Sequence, residues 1–191
     1  MKKIRPSFFL TLLSLVCLNS FAQEVTAKLS AEKIAILKAT SFKDKEGKEV
    51  KLEQFKDKIV IVDFWETWCK PCVESMPALD MIATQYKDKV VILAVNSFMK
   101  DDEERFQKFT SKHKYHFEYS TCNQVLKELD IHFIPYQIFF DERGNYRESY
   151  EATQQNTDDE YDEIEGRIKK ITGDTLSKPK KRKNWNPIYT K

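Results

Sequence analysis

The sequence predicts an α/β fold: a central mixed β-sheet flanked by helices, with an N-terminal β-hairpin extension. Three observations carry this. "KIVIVDFW" (Lys58 to Trp65) and "KVVILAVNS" (Lys89 to Ser97) are continuous apolar, β-branched runs of the kind that fill buried strands. Between them Met76, Leu79, Ile82, Ala83 and Tyr86 fall on one face at helical spacing. Further on, "YQIFFDERGNYRESYE" reads as two strands around a turn at Arg143, Gly144 and Asn145. Strand, helix, strand implies a parallel pair, and the hairpin adds an antiparallel one, so the sheet is mixed.

The other elements follow in order. "ATSFKDKEGKEVKLEQFKDK" holds a hairpin around Glu46 and Gly47. "DDEERFQKFTSKH" starts with acids and places Phe106 and Phe109 three apart, the mark of a capped amphipathic helix. Residues 117–119 read as a short extended piece and 123–129 as a short helix. A last helix spans Asp158 to Ile171, with Tyr161, Ile164, Ile168 and Ile171 as its buried stripe. No internal repeat or interdomain linker is visible. The expected organisation is a signal peptide at 1–22, a lead-in at 23–38, one folded domain at 39–173 and a basic tail at 174–191. Residues 23–33 and 178–191 read as loose. The chain's 191 residues, 41% hydrophobic and 32% charged, suffice for one domain with a proper core.

The first residues, "MKKIRPSFFLTLLSLVCLNSFAQE", combine a basic start (Lys2, Lys3, Arg5), an apolar stretch from Phe8 to Leu18 and small residues at Ser20 and Ala22. That is the pattern of a secretory signal peptide cleaved near Ala22, which puts the mature protein in the periplasm or otherwise outside the cytoplasm. The apolar stretch is short of the roughly 20 residues a membrane span needs. A lipoprotein attached through Cys17 fits less well, because bulky Leu15 and Val16 precede it; an uncleaved anchor is the remaining alternative. Cleavage takes the formal charge from +2 to −1, since residues 1–22 hold three cations and no acid. The "KPKKRK" run from Lys178 then reads as a solvated tail, or as a weak contact with an anionic membrane surface. Export argues against nucleic acid as a partner.

Of the four cysteines, Cys69 and Cys72 stand two residues apart where a buried strand gives way to a helix. Outside the cytoplasm a structural disulfide is the plain reading. Such a bridge closes only a tiny loop, however, and the stabilisation grows with loop length, so it is a poor staple. The location suits redox chemistry better. Unpaired N–H groups at a helix N-terminus carry partial positive charge and lower a thiol's pKa. Cys69, at the tip, is expected to be the exposed nucleophile, with Lys70 adding positive charge nearby. Pro71 suits the first helical turn, and Cys72, one turn in, is expected to be the buried resolving thiol. Asp63 interrupts the apolar strand run, where a charge is costly unless it stays protonated or finds a partner. The alternative is an Asp turned outward at the strand end.

"VDFWETWCKPC" resembles the active-site segment of the thioredoxin superfamily, and residues 39–171 are similar to its exported TlpA/ResA-like branch. Pro77 within the helix, "FIPYQIFFDERG" and "DKEGKEVKLEQFKDK" add to the likeness. The resemblance implies a thioredoxin-like fold, Cys69 as the attacking and Cys72 as the resolving cysteine, and Trp68 lining the surface beside them. It implies that Pro135 is a cis-proline facing the disulfide, with Ile134 offering backbone groups to an extended substrate; a trans proline opening a strand is the alternative. It also implies that Asp63 takes the proton of Cys72. Substrate contacts then fall on Trp68, Lys70, Pro71, Ile134 and Pro135. The likeness has departures. Many members of the branch have Glu three residues after the second cysteine, but Ser75 stands here and the acid is Glu74, turned about 100° around the helix. Tyr136 and Gln137 follow Pro135 where Thr is more usual.

A rival reading is a copper or zinc carrier, with the two thiolates as half a tetrahedral site and His113, His116 or His132 completing it. The histidines lie in separate segments and no second CxxC exists, which weakens it. Cys122 reads as a half-buried small apolar residue, with an intermolecular disulfide as the lesser alternative. The sequence thus predicts an exported thiol-disulfide oxidoreductase that needs no cofactor beyond its Cys69–Cys72 pair and no metal. Its expected partners are exported protein thiols and disulfides, among them cytochrome c apoproteins by resemblance, with a membrane thiol relay as electron donor. Reduction of protein disulfides through a mixed disulfide is the expected direction, with oxidation or isomerisation as the alternative that its potential would decide.

Overall fold

The computed structural model describes residues 28–152 and 156–173; the expected signal peptide, Cys17 and the basic tail lie outside them. The chain enters through helix α1 (Ala31–Ala39), capped by Ser30, whose Oγ accepts from Lys33 N at 3.3 Å. Leu37 in this helix is fully buried. Part of the segment expected to be a loose lead-in is therefore a docked helix. Its apolar residues Ala31, Ile34, Ala35, Ile36 and Leu37 spread around the axis instead of forming a stripe, which hid it from a periodicity argument.

The strands are β1 (Phe42–Asp44), β2 (Glu49–Val50), β3 (Ile59–Trp65), β4 (Val90–Asn96), β5 (Glu118–Thr121), β6 (Tyr136–Phe140) and β7 (Tyr146–Glu151). They form one sheet in the order β2-β1-β5-β4-β3-β6-β7. Strands β3, β4 and β5 are parallel and the other pairings antiparallel, so the sheet is mixed and the β1–β2 hairpin extends it along β5. Turn chemistry sets both hairpins. Asp44 Oδ1 accepts from Glu46 N and Lys48 N, and Asp141 Oδ1 accepts from Arg143 N and Asn145 N. Gly47, at φ +81°, supplies the left-handed residue the first turn requires.

Four more helices pack on the sheet: α2 (Lys70–Gln85), α3 (Glu103–Lys112), α4 (Val125–Glu128) and α5 (Thr157–Thr172). Strand β3 divides the core by simple alternation. Ile59, Ile61 and Trp65 join Cys72, Met76, Leu79 and Ile164 beneath α2 and α5. Val60, Val62 and Phe64 join Leu37, Leu126 and Ile138 on the α1 and α4 side. Each fully buried side chain of this size contributes about 1.5–3 kcal/mol, so β3, buried at all seven positions, anchors both layers. It also fixes where the chain emerges at Glu66, one step before the cysteines.

Candidate active site

Strand β3 delivers the chain through Glu66–Trp68 to Cys69, the N-cap of α2. Cys69 N donates to Glu66 O at 3.0 Å, Val73 N donates to Cys69 O at 3.1 Å, and Cys72 N points at Cys69 Sγ at 3.3 Å. Pro71 occupies the first turn, where its missing N–H costs nothing. Cys69 and Cys72 are joined by a disulfide with 2.03 Å between the sulfurs and 5.3 Å between the Cα atoms. Cys72 is fully buried as expected, but Cys69 is only 3% exposed and is not the open nucleophile the sequence suggested. In the closed bridge its sulfur folds back onto the helix start, and the carbonyl oxygen of Ile134 lies 3.8 Å from it.

Ile134 comes from the segment before β6, and its bond to Pro135 is cis. Pro135 is buried and its carbonyl accepts from Ala152 N at 3.0 Å, tying the segment to the end of β7. Trp68 is 45% exposed beside Cys69, with Lys100 Nζ 4.6 Å from its ring centroid. Lys70 points to solvent and pairs with Glu74 at 3.5 Å, an exposed i,i+4 contact worth under about 1 kcal/mol. Phe133 (68% exposed) and Met99 (45%) are the other exposed large apolar side chains among the described residues. Phe133 adjoins Ile134, and Met99 lies in the loop that Glu66 anchors. The three loops linked to the disulfide, 66–68 before Cys69, 97–101 through Glu66 and 133–134 through the Ile134 carbonyl, thus each carry an exposed apolar side chain and make up its rim.

Glu66, which the sequence reading passed over, organises that rim. Fully buried, its carboxylate accepts from Trp68 Nε1, from Ser97 Oγ at 2.9 Å, and from the backbone N–H groups of Met99, Lys100 and Asp101. Asp101 reciprocates, accepting from Thr67 N and Thr67 Oγ1, both at 2.6 Å, and from Asn96 Nδ2 at 2.7 Å. Two carboxylates thus lock the loop before the cysteines to the loop after β4. The visible signal was an acid within "FWETWC", a segment otherwise apolar enough to be core.

Asp63 faces inward, on the α2 side of β3, with no exposure. Neither oxygen of its carboxyl has a hydrogen-bond partner. Burial pushes its pKa up from 3.8 to about 8; the nearby Gln137 amide offsets part of that rise, and the negative charge of Glu160 adds to it. The expected proton-carrying carboxyl is therefore inside the protein on the layer that holds Cys72, where a neutral acid is the resting form.

The histidines are not gathered near the sulfurs. His116 Nδ1 meets Asp80 Oδ1 at 3.0 Å, His132 Nε2 meets Asp130 Oδ1 at 2.9 Å, and His113 stacks on Phe109. Among the described residues no group of three or more His, Cys, Asp and Glu side chains is placed to hold a metal. Cys122 is half-buried, and burial pushes its thiol pKa up.

Known proteins bear out the architecture and chemistry. Residues 33–175 match the AhpC/TSA family. The thiol-disulfide oxidoreductase ResA of Geobacillus thermodenitrificans is 28% identical over 166 residues, covering 83% of this chain and 94% of that protein. The thioredoxin-like protein YneN of Bacillus subtilis is 33% identical over 104 residues, 54% of this chain and about half (51%) of its own length. The crystal structure of an exposed lipoprotein thioredoxin from Streptococcus pneumoniae superposes with a TM-score of 0.60 at 24% identity, over 69% of this chain and 98% of that one. A thioredoxin-like mixed sheet carrying a closed CxxC pair, matched over three quarters of its length, makes this chain a member of the AhpC/TSA family, on the side of its thiol-disulfide oxidoreductases.

Proposed function

We propose that the chain reduces disulfides in exported proteins through its Cys69–Cys72 dithiol, with Asp63 as the internal proton acceptor. The observation that carries this is a closed CxxC disulfide at the start of α2, faced by the Ile134 carbonyl, on the same layer as a bare buried carboxyl. In the reduced enzyme Cys69 thiolate is favoured by the unpaired N–H groups of the α2 terminus. It attacks one substrate sulfur and the other leaves as a thiolate, giving a mixed disulfide. Asp63 in its deprotonated form, within reach of its value near 8, takes the proton of Cys72 Sγ, which attacks Cys69 Sγ and releases the second substrate sulfur as a thiolate. Two electrons leave the dithiol, and the Cys69–Cys72 bond holds the oxidised state, so exchange calls for no prosthetic group. An acid near pH 8 is well matched to a thiol whose ordinary value is about 8.5, so the proton can move either way at little cost.

The exposed apolar side chains Trp68, Met99 and Phe133, carried on the loops linked to the disulfide, suit an extended polypeptide bearing a disulfide. Export is supported by the signal-peptide pattern at 1–22 and by the similarity to an exposed lipoprotein. In that setting a membrane thiol relay returns the two electrons, cytochrome c apoproteins are candidate substrates, and the basic tail can touch an anionic lipid surface. The test is the equilibrium potential of the pair, titrated against thiol buffers with Cys122→Ser to prevent side pairing. A value near thioredoxin's, about −270 mV, supports a reductase. A value near that of the oxidant DsbA, about −120 mV, replaces it with disulfide formation or shuffling.

A further inference from the structure

Asp63 does not stand alone. Strand register aligns Ala94, Asp63, Gln137 and Tyr150 in one row across β4, β3, β6 and β7. Tyr150 joins the apolar layer beneath α2 and α5, so this row faces those helices. From α5, Glu160 closes over it: 2% exposed, its Oε1 accepts from Gln137 Nε2 at 3.3 Å and from Tyr150 Oη at 3.4 Å. Gln137 is fully buried, and its own Oε1 is unpartnered, as are both oxygens of Asp63. Three acceptors on adjacent residues thus lack a donor, a setting in which burial leaves the Asp63 carboxyl its proton.

The remaining charges bear on which acid ionises. Ala94 brings no cation to Asp63 from β4. Arg167, on α5, stacks on the Tyr150 ring at 3.8 Å and is shared by Glu148 at 3.1 Å and Glu163 at 2.7 Å. Burial and Glu163 raise the pKa of Glu160, while Tyr150, Gln137 and Arg167 favour its charged form. Glu160 has two donors and Asp63 has none. When this pair carries one negative charge, the charge belongs on Glu160 and the proton on Asp63.

We propose that Gln137 and Glu160 are positioning residues for the proton of Asp63: Glu160 holds the negative charge of the buried acid pair, and Gln137 links it to Asp63. Their place in catalysis rests on Asp63 serving Cys72; the coupling itself does not. Charge on Glu160 makes Asp63 a stronger base for the Cys72 thiol, and the Gln137 amide limits how strong.

The experiment follows the ¹³C resonance of the Asp63 carboxyl against pH in the full, oxidised chain, in which the cysteines do not titrate. E160Q, nearly isosteric, should move the midpoint down by about one unit, the order expected for losing one negative charge across a single amide in a protein interior. Q137L should move it up, because the amide that favours the carboxylate is gone. General loosening would admit water and lower the midpoint in both variants, so opposite signs are the signature of coupling. An unmoved midpoint in E160Q overturns the proposal, even if Q137L fails to fold, and so does a shift of the same sign in both. Exchange kinetics of D63N are read separately. Unchanged kinetics with a shifted E160Q titration would refute the catalytic role of Asp63 and leave the coupling standing.

Discussion

Replacing Asp63 by Asn should turn a pH-dependent protein into a less dependent one, with a slope that can be worked out beforehand. The native carboxyl titrates near pH 8 and the unfolded one near 3.8, so between those values the folded state holds a proton that the unfolded state has released. Stability therefore falls as pH rises through this window. About 4 pH units at about 1.4 kcal/mol each gives a loss on the order of 6 kcal/mol by pH 8, a large share of the 5–15 kcal/mol that holds a domain together. The amide of the D63N variant cannot ionise and escapes this loss. The assay is urea unfolding of the oxidised proteins from pH 4 to 9 at fixed ionic strength. The value at pH 4 absorbs whatever the amide costs in place of the neutral acid. From there the variant should gain on the native protein by about 1.4 kcal/mol per unit, roughly 0.5 to 1 M in midpoint, and level off above pH 8. Parallel pH curves for the two proteins would mean that Asp63 ionises as it does in water, and would remove the base from the proposed mechanism.

Three further outcomes follow from the packing. Glu66→Ala strands Trp68 Nε1, Ser97 Oγ and three backbone N–H groups, and should cost about 3–5 kcal/mol in urea unfolding, with a change in Trp68 fluorescence as its anchor goes. Phe133→Ser, at a 68% exposed position, should shift stability by no more than about 0.5 kcal/mol; it should raise KM for a protein disulfide severalfold while leaving turnover of a small disulfide unchanged. Leu37→Ala should cost about 2–5 kcal/mol if α1 is part of the core, whereas a merely tethered helix would leave the unfolding curve in place.

What was legible in the sequence had a local cause. The β-branched run of β3, the stripe of α2 and the Asp141–Asn145 turn each declare themselves within a few residues. The α1 helix did not, because Ile34, Ile36 and Leu37 are shared between directions and only tertiary contact shows which of them is buried. The exposure of Cys69 was misjudged because the Ile134 carbonyl that covers it comes from 65 residues away. Glu160 carried a faint signal: it stands one turn before Ile164, on the same stripe as Ile164 and Ile168, yet an acid-rich stretch reads as solvated surface. Gln137 could be linked to Asp63 only through the register of β3 with β6, which no single stretch of sequence encodes.

Two buried carboxylates three residues apart, Asp63 and Glu66, show why residue type alone could not assign roles here. Both leave the same strand and both are fully buried. The chain after β4 turns its backbone N–H groups onto Glu66, and with Trp68 and Ser97 these occupy the carboxylate from both sides, which makes it a clamp. Strands β4 and β6 offer Asp63 a methyl group and an amide that already donates elsewhere, which leaves its oxygens open to a proton. The Glu66 oxygens are taken up by five donors, whereas a buried carboxyl with none, like Asp63, has every reason to bind a proton. The first can hold the rim around the disulfide without disturbing the chemistry, and the second can exchange a proton with a thiol without unlocking the rim. Exchanging these surroundings, with the residue types kept, would exchange the roles.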